Sequence, residues 1–271
     1  MLTEADTDTQ DLENEAVSAW VEPERANGAN GDRTHACAMV HVDLDGASTI
    51  YGHHGWAYDY ADDPLFTSGM RNLLAFLDAN SIRATLFTIA SDVQNGEKRE
   101  WLTEAVSRGH EIASHTLTHP HLSRIGFEQK RTEIAESREL LTRELNTTVS
   151  GFRAPGYEID RDCLELLERY GYTYDSSAFP TRAFARRLEV YGVQTGPHKP
   201  VFDRPLLEIP LPGHRPSPFP FHPCYSLLLG MRHFKSGLMR FRKTGDPLVF
   251  LFHLTDFADP LPRDRLRGLR S

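Results

Sequence analysis

From Ala36 onward, short apolar runs alternate with longer stretches of helical period. The run Ala-Cys-Ala-Met-Val-His-Val-Asp at 36–43 reads as a buried strand. Leu65, Phe66, Met70, Leu73, Leu74 and Leu77 then recur at amphipathic-helix spacing behind Asp63-Pro64, a cap and a first-turn proline. A strand at 84–89, a helix near 98–107 and a short strand before Ser114 follow. Next comes a charged helix over 127–145, with Ile134, Leu141 and Leu145 turned inward. The rhythm continues with a strand at 149–152, a helix at 163–170 and a strand at 172–175, then strands at 206–209 and 248–252 around a proline-rich insertion. Repeated strand–helix units predict an α/β fold with a parallel sheet whose functional groups gather at the C-terminal strand ends.

The polar clusters obey that prediction. Asp43 and Asp45 close the first strand, His115 and His119 follow the third, Arg153 follows the fourth, Asp175 the next, and His253 ends Leu-Val-Phe-Leu-Phe-His. Singly, Arg153 reads as a surface ion pair, Asp175 as a cap and His253 as a core histidine; five clusters on one sheet edge read as a site. Within Ser-His-Thr-Leu-Thr-His at 114–119, the two histidines stand four apart, one helical turn, so both rings can face one ion. Two imidazoles and a carboxylate form a ligand set for a borderline ion such as zinc that leaves positions open for water, which is the signature of chemistry rather than of a structural site.

Composition bounds the classes. A chain of 271 residues can bury one large α/β domain, and no apolar run is long enough to span a membrane. The net charge of −8 divides unevenly: residues 1–35 hold nine acids and two bases, residues 36–271 nearly balance, and 214–271 carry ten Lys or Arg against four acids. Residues 1–35, with few aromatics and an Ala-Asn-Gly repeat, read as an acidic disordered tail; 36–260 is the folded domain and 261–271 a basic tail. The acidic start lacks the basic and apolar regions of a secretory signal, which places the expected site of action in the cytoplasm. Cys37, Cys163 and Cys224 fit isolated reduced thiols better than a disulfide framework. No nucleic-acid partner is expected.

Ser-His-Thr-Leu-Thr-His, Arg-Ala-Pro-Gly at 153–156 and Leu-Phe-His at 251–253 together resemble the polysaccharide deacetylases with the NodB homology domain, carbohydrate esterase family four. The resemblance covers roughly Ala36 to Asp259. It implies a deformed (β/α) barrel of about seven parallel strands, with one divalent ion, usually zinc (cobalt, nickel and manganese are the other options), on Asp45, His115 and His119. The chain departs from the family's common pair of adjacent aspartates, since Leu44 separates Asp43 from Asp45 and alternation along a strand would put both on one face. Asp43 is assigned as base and Asp45 as ligand; the reverse assignment satisfies the same spacing. The implied reaction is metal-assisted amide hydrolysis. Asp43 takes the proton of the attacking water, Arg153 keeps Asp43 ionised, the Gly156 N–H meets the oxyanion, and His253, oriented by Asp175 or Asp256, protonates the leaving amine.

The expected substrate is an N-acylated, most simply N-acetylated, amino sugar, and a cytoplasmic setting favours a nucleotide-linked, lipid-linked or soluble one. Two readings compete with it: a deformylase or metal-independent amide hydrolase of the same fold, and a catalytically silent carbohydrate binder. Residues 224–243 place Leu227, Met231, Phe234, Leu238 and Phe241 on one helical face beside Arg232, Lys235, Arg240 and Lys243, either a barrel helix or a peripheral membrane contact. The proline- and phenylalanine-rich 214–222 segment reads as a substrate lid, and Tyr51–Trp56 as an exposed polar loop beside the cleft, with His53 and His54 available to line it.

Overall fold

A computed structural model describes residues 38–179, 196–200, 204–212, 221, 223–244 and 247–261. The acidic 1–35 stretch, most of the 214–222 segment and 262–271 lie outside the described residues. Seven strands form one parallel sheet: β1 (Ala38–Asp43), β2 (Ala84–Thr88), β3 (Glu111–Ser114), β4 (Gly151–Phe152), β5 (Tyr174–Asp175), β6 (Leu207–Glu208) and β7 (Leu248–His253). Their order, β6-β5-β4-β3-β2-β1-β7, is the chain order with β7 returned beside β1, as expected for a barrel that curls but leaves a seam between β6 and β7. The fold is the deformed (β/α) barrel. Several strands are shorter than the apolar runs predict, because pairing at β4, β5 and β6 spans two residues each.

Helices α1 (Ala47–His53), α2 (Pro64–Ala79), α3 (Gly96–Ser107), α4 (Phe127–Leu145), α5 (Arg161–Arg169), α6 (Pro223–Leu229) and α7 (Met231–Thr244) connect or follow the strands. Helix α2 begins as its sequence predicts: Asp63 accepts from the Phe66 N–H at 3.0 Å, Pro64 opens the first turn, and Leu65, Phe66, Met70, Leu73, Leu74 and Leu77 are buried. Ile134, Leu141 and Leu145 of α4 join the same core as β1 and β2.

Two expectations are corrected. The segment expected as a loop over Tyr51–Trp56 is in part helical, since α1 runs to His53; only Ala47 and Tyr51 of that helix are buried, too few to show a period. The single helix expected over 224–243 is two, broken at Gly230, whose φ of 78° lies in the left-handed region that glycine adopts without a steric penalty. One face of α7 does pack inward, where Phe234, Leu238 and Phe241 meet Phe221 and Phe250. Leu228 and Leu229 at the end of α6, with Met231 and Met239 of α7, are exposed. Among the described residues, no helix is long and apolar enough to cross a membrane.

Candidate active site

Strand register decides which side chains meet. Asp43 is paired with Phe87 of β2 on one side and with His253 of β7 on the other, so the ends of β1 and β7 deliver a carboxylate and an imidazole to the same edge. His253 Nε2 lies 3.9 Å from Asp43 Oδ2. It also lies 3.2 Å from the Tyr157 hydroxyl. The His253 backbone N–H donates to Asp256 Oδ2 at 2.8 Å, so Asp256 anchors the strand end that carries the imidazole.

Arg153 is the centre of the buried network. Its side chain is fully buried and stacks over the Phe87 ring, 3.8 Å from its centroid. Nη1 donates to Asp43 Oδ1 at 2.6 Å, Nε to the Ser176 carbonyl at 2.8 Å, and Nη2 to the Ser176 hydroxyl at 2.8 Å and to His41 Nδ1 at 2.7 Å. A buried guanidinium needs this degree of satisfaction, because an unpaired buried charge costs several kcal/mol. Burial, and then the charge of Arg153, pushes His41 well below the usual imidazole range, so His41 is neutral and its Nδ1 can accept. His41 and Ser176 were not singled out from the sequence. His41 stands two residues before Asp43 on the same strand face, and that alternation was the available signal.

Asp45, His115 and His119 also converge. Asp45 Oδ1 is 3.1 Å from His119 Nε2 and 3.9 Å from His115 Nε2, and the three ligand atoms lie within 4.8 Å of one another. Donors on one tetrahedral ion stand roughly 3.4 Å apart, and the two contacts of Asp45, at 3.1 and 3.9 Å, lie near the spacing that a divalent ion needs. Asp45 Oδ1 is buried without a hydrogen-bond partner, which is what a ligand oxygen looks like before its ion is considered. His115 Nδ1 lies 2.7 Å from the Arg153 carbonyl; it therefore carries the proton and leaves Nε2 as a lone-pair donor. Burial alone would push the Asp45 carboxyl up, but His119, His115 and His253 outweigh it and hold the group well below the usual carboxylate range. Burial keeps His115 below its ordinary value, and each of the two groups is thus in its ligating form.

The histidines do not meet across a helical turn as their spacing predicts. β3 stops at Ser114, and Thr116 and His119 take left-handed conformations with φ of 68° and 66°. Such backbone costs about 1–2 kcal/mol per residue without compensation. Glu133 of α4 provides it: one carboxylate oxygen accepts from the Leu117 and Thr118 N–H groups at 2.9 and 2.8 Å, and the other from the Thr118 hydroxyl at 2.6 Å. No local motif points to Glu133, which lies fifteen residues beyond Thr118.

Asp175 lies at the end of β5, fully buried, and accepts from the Ser177 hydroxyl at 2.6 Å. Burial raises its pKa, against the opposing pull of the Glu208 and Ser177 hydrogen bonds and of the Arg153 charge. Gly156 sits in the Pro155–Tyr157 turn at φ 63°, where an added Cβ would come within 2.9 Å of His121. A cavity of about 540 Å³ opens onto the site, lined by His119 together with Thr49, His53, Ser91, Thr118 and His121 among others. His53 and His121 approach to 4.8 Å there, while His54 stacks on Trp56.

Residues 54–174 match the family model described as polysaccharide deacetylase. The chain is 28% identical over 111 residues to a chitooligosaccharide deacetylase of Sinorhizobium fredii, covering 41% of this chain and 47% of that protein. It is 27% identical over 141 residues to a peptidoglycan deacetylase of Helicobacter pylori, covering 50% of this chain and 47% of that one. The chain thus spans less than half the length of these curated relatives. Among solved structures, the allantoinase PuuE shares the fold with a TM-score of 0.62 at 16% identity, over 90% of this chain and 88% of that one. The matched stretch holds His115, His119 and Arg153 but neither Asp43, Asp45 nor His253; the β1–β7 register brings Asp43 and His253 to the same edge, and Asp45 follows two residues beyond the end of β1.

Proposed function

We infer that this chain, a member of the polysaccharide deacetylase family, hydrolyses the N-acyl group of an amino sugar, acetyl in the first instance, with a divalent ion held by Asp45, His115 and His119. The observation that carries the reading is the placement of Asp43 Oδ2 and His253 Nε2, 3.9 Å apart and beside the ligand cluster: a base and an acid facing one reacting centre. A pure carbohydrate binder has no use for that pair. The curated relatives' names, chitooligosaccharide and peptidoglycan deacetylase, support an acetylated saccharide as substrate.

The ion, when bound, polarises the acyl carbonyl and makes water a better nucleophile at neutral pH. Arg153 occupies Asp43 Oδ1 and leaves Oδ2 turned toward His253, so Oδ2 takes the proton of the attacking water as the new C–O bond forms. The Gly156 amide is assigned to the developing oxyanion, since the Tyr157 N–H is already bonded to the Ala154 carbonyl at 2.9 Å. His253 then delivers a proton from Nε2 to the leaving nitrogen as the C–N bond breaks, giving a carboxylic acid and a free amine. The proton gained by Asp43 equals the one lost by His253, and the two groups reset together. Asp175 is assigned a supporting place beside Arg153, whose charge acts on it.

The test is product analysis over N-acetyl and N-formyl amino sugars, N-acetylchitooligosaccharides and allantoin. Acetate release from the N-acetyl sugars is expected. Formate release alone would make the chain a deformylase, and turnover of allantoin alone would move it to the cyclic amide hydrolases.

A lipid-linked substrate is the form we favour. The α6–α7 pair exposes Leu228, Leu229, Met231 and Met239. Arg232, Lys235, Arg242 and Lys243 are exposed on α7, and no acid falls between 223 and 244. Salt-sensitive cosedimentation with phosphatidylglycerol vesicles, lost in Leu228→Ser/Met231→Ser, is expected; equal recovery with neutral vesicles would contradict it.

A further inference from the structure

Beneath the ligand cluster lies a second buried charge network that the chemistry above does not use. Lys98 of α3 extends its ammonium to 3.0 Å from Asp63 Oδ2 and 2.9 Å from Asp92 Oδ1, and sits 4.6 Å from the centroid of the Phe66 ring. Lys98 and Asp63 are each 7% exposed, which is rare for a lysine and costly unless the charge is answered. Asp63 is also bonded on its other side: its two oxygens accept from the Ala47 N–H at 3.1 and 3.0 Å while it caps α2.

Those bonds bracket Asp45. The residue before it, Leu44, donates its N–H to the Phe87 carbonyl of β2 at 3.0 Å, and Ala47, two residues after it, is tied to Asp63. Between them, Gly46 runs so close to the network that a Cβ would stand 2.2 Å from Asp63 Oδ2 and 2.9 Å from Lys98 Nζ. The ammonium is therefore packed against the peptide that follows Asp45. Burial pushes the Asp92 carboxyl up and Lys98 pulls it down, while Asp63 and Asp45 push it up again, so the carboxylates act on one another.

We propose that Lys98, with Asp63 and Asp92, is a positioning device for the metal ligand Asp45: it clamps the 44–47 turn so that the Asp45 carboxylate faces His115 and His119. This rests on the metal reading of the site. Geometry and charge make opposite forecasts for its removal. Loss of a nearby cation would by Coulomb's law tighten the hold on a divalent ion, whereas loss of the clamp frees Asp45 and loosens it.

The test is zinc affinity of the full chain by competition with a chromophoric chelator, below the unfolding transition of each variant. Lys98→Met is expected to weaken zinc at least tenfold, in the range that outer-shell partners of metal ligands command, and to alter the visible spectrum of the cobalt-loaded protein. In an Asp45→Ala background the same substitution is expected to change zinc affinity less than twofold, because its effect runs through Asp45. Equal or tighter binding by Lys98→Met, or an undiminished effect without Asp45, would overturn the proposal. Should Lys98→Met not fold, Asp92→Asn, which keeps the shape, is carried through the Asp45→Ala comparison instead: loss of an anion weakens zinc by charge as well as by geometry, and only an effect that falls below twofold without Asp45 supports the clamp, while one that persists would overturn it. A wild-type chain that takes no zinc would overturn the metal reading itself, and this inference with it.

Discussion

Asp43→Asn is expected to lower kcat/KM about 10²–10⁴-fold, the usual worth of a positioned proton acceptor, while zinc binding is kept. The amide retains an oxygen where Arg153 Nη1 now bonds Oδ1, so the shape of the site survives. What goes is the charge, and with it the ability of Oδ2 to hold a proton. A cost in stability accompanies this. Arg153 is fully buried, and Asp43 is the carboxylate that answers its guanidinium. Breaking such a pair costs about 3–5 kcal/mol in full, and less where a neutral acceptor remains. Denaturant unfolding of the variant beside its kinetics separates the two effects. Unchanged turnover would transfer the base to Asp45 and invert the assignment made here.

The second large effect belongs to the histidines. His115→Ala is expected to weaken zinc by more than the roughly 10–100-fold that loss of an outer-shell partner brings, because it removes a ligand atom outright. It also removes the bond between His115 Nδ1 and the Arg153 carbonyl, so the guanidinium loses part of its backbone anchor. Turnover should fall with metal occupancy and return in part at high zinc. His119→Ala differs in one respect: the alanine would sit in a left-handed conformation held by the Thr116 hydroxyl and the Glu133 cradle, and relaxation of that turn is expected to move Thr118 as well. Isothermal titration of both variants with zinc checks the order of these effects.

Much of this site was legible because barrel strands end in a predictable place. Asp43, Arg153, Asp175 and His253 each follow an apolar run, and β1–β7 pairing turns that sequence position into proximity. The seven strands and the Asp63-Pro64 start of α2 obey local rules of period and turn chemistry. What escaped the sequence was set by contacts across long separations. Arg153 Nη2 reaches His41 over 112 residues, and Glu133 fixes a loop that a helical reading of His115 and His119 could not anticipate. Helix α1 was missed because it is seven residues long, has no side-chain cap and buries two side chains. The break at Gly230 was readable in principle, but glycine inside an amphipathic pattern is often tolerated.

The proposed hydrolysis depends on a divalent ion held by Asp45, His115 and His119. Elemental analysis of the purified, tag-free chain after zinc reconstitution, beside His115→Ala/His119→Ala, tests it most directly. About one zinc per chain is expected in the parent and none in the paired variant. A parent chain that keeps no metal, or a paired variant that keeps as much as the parent, would contradict it.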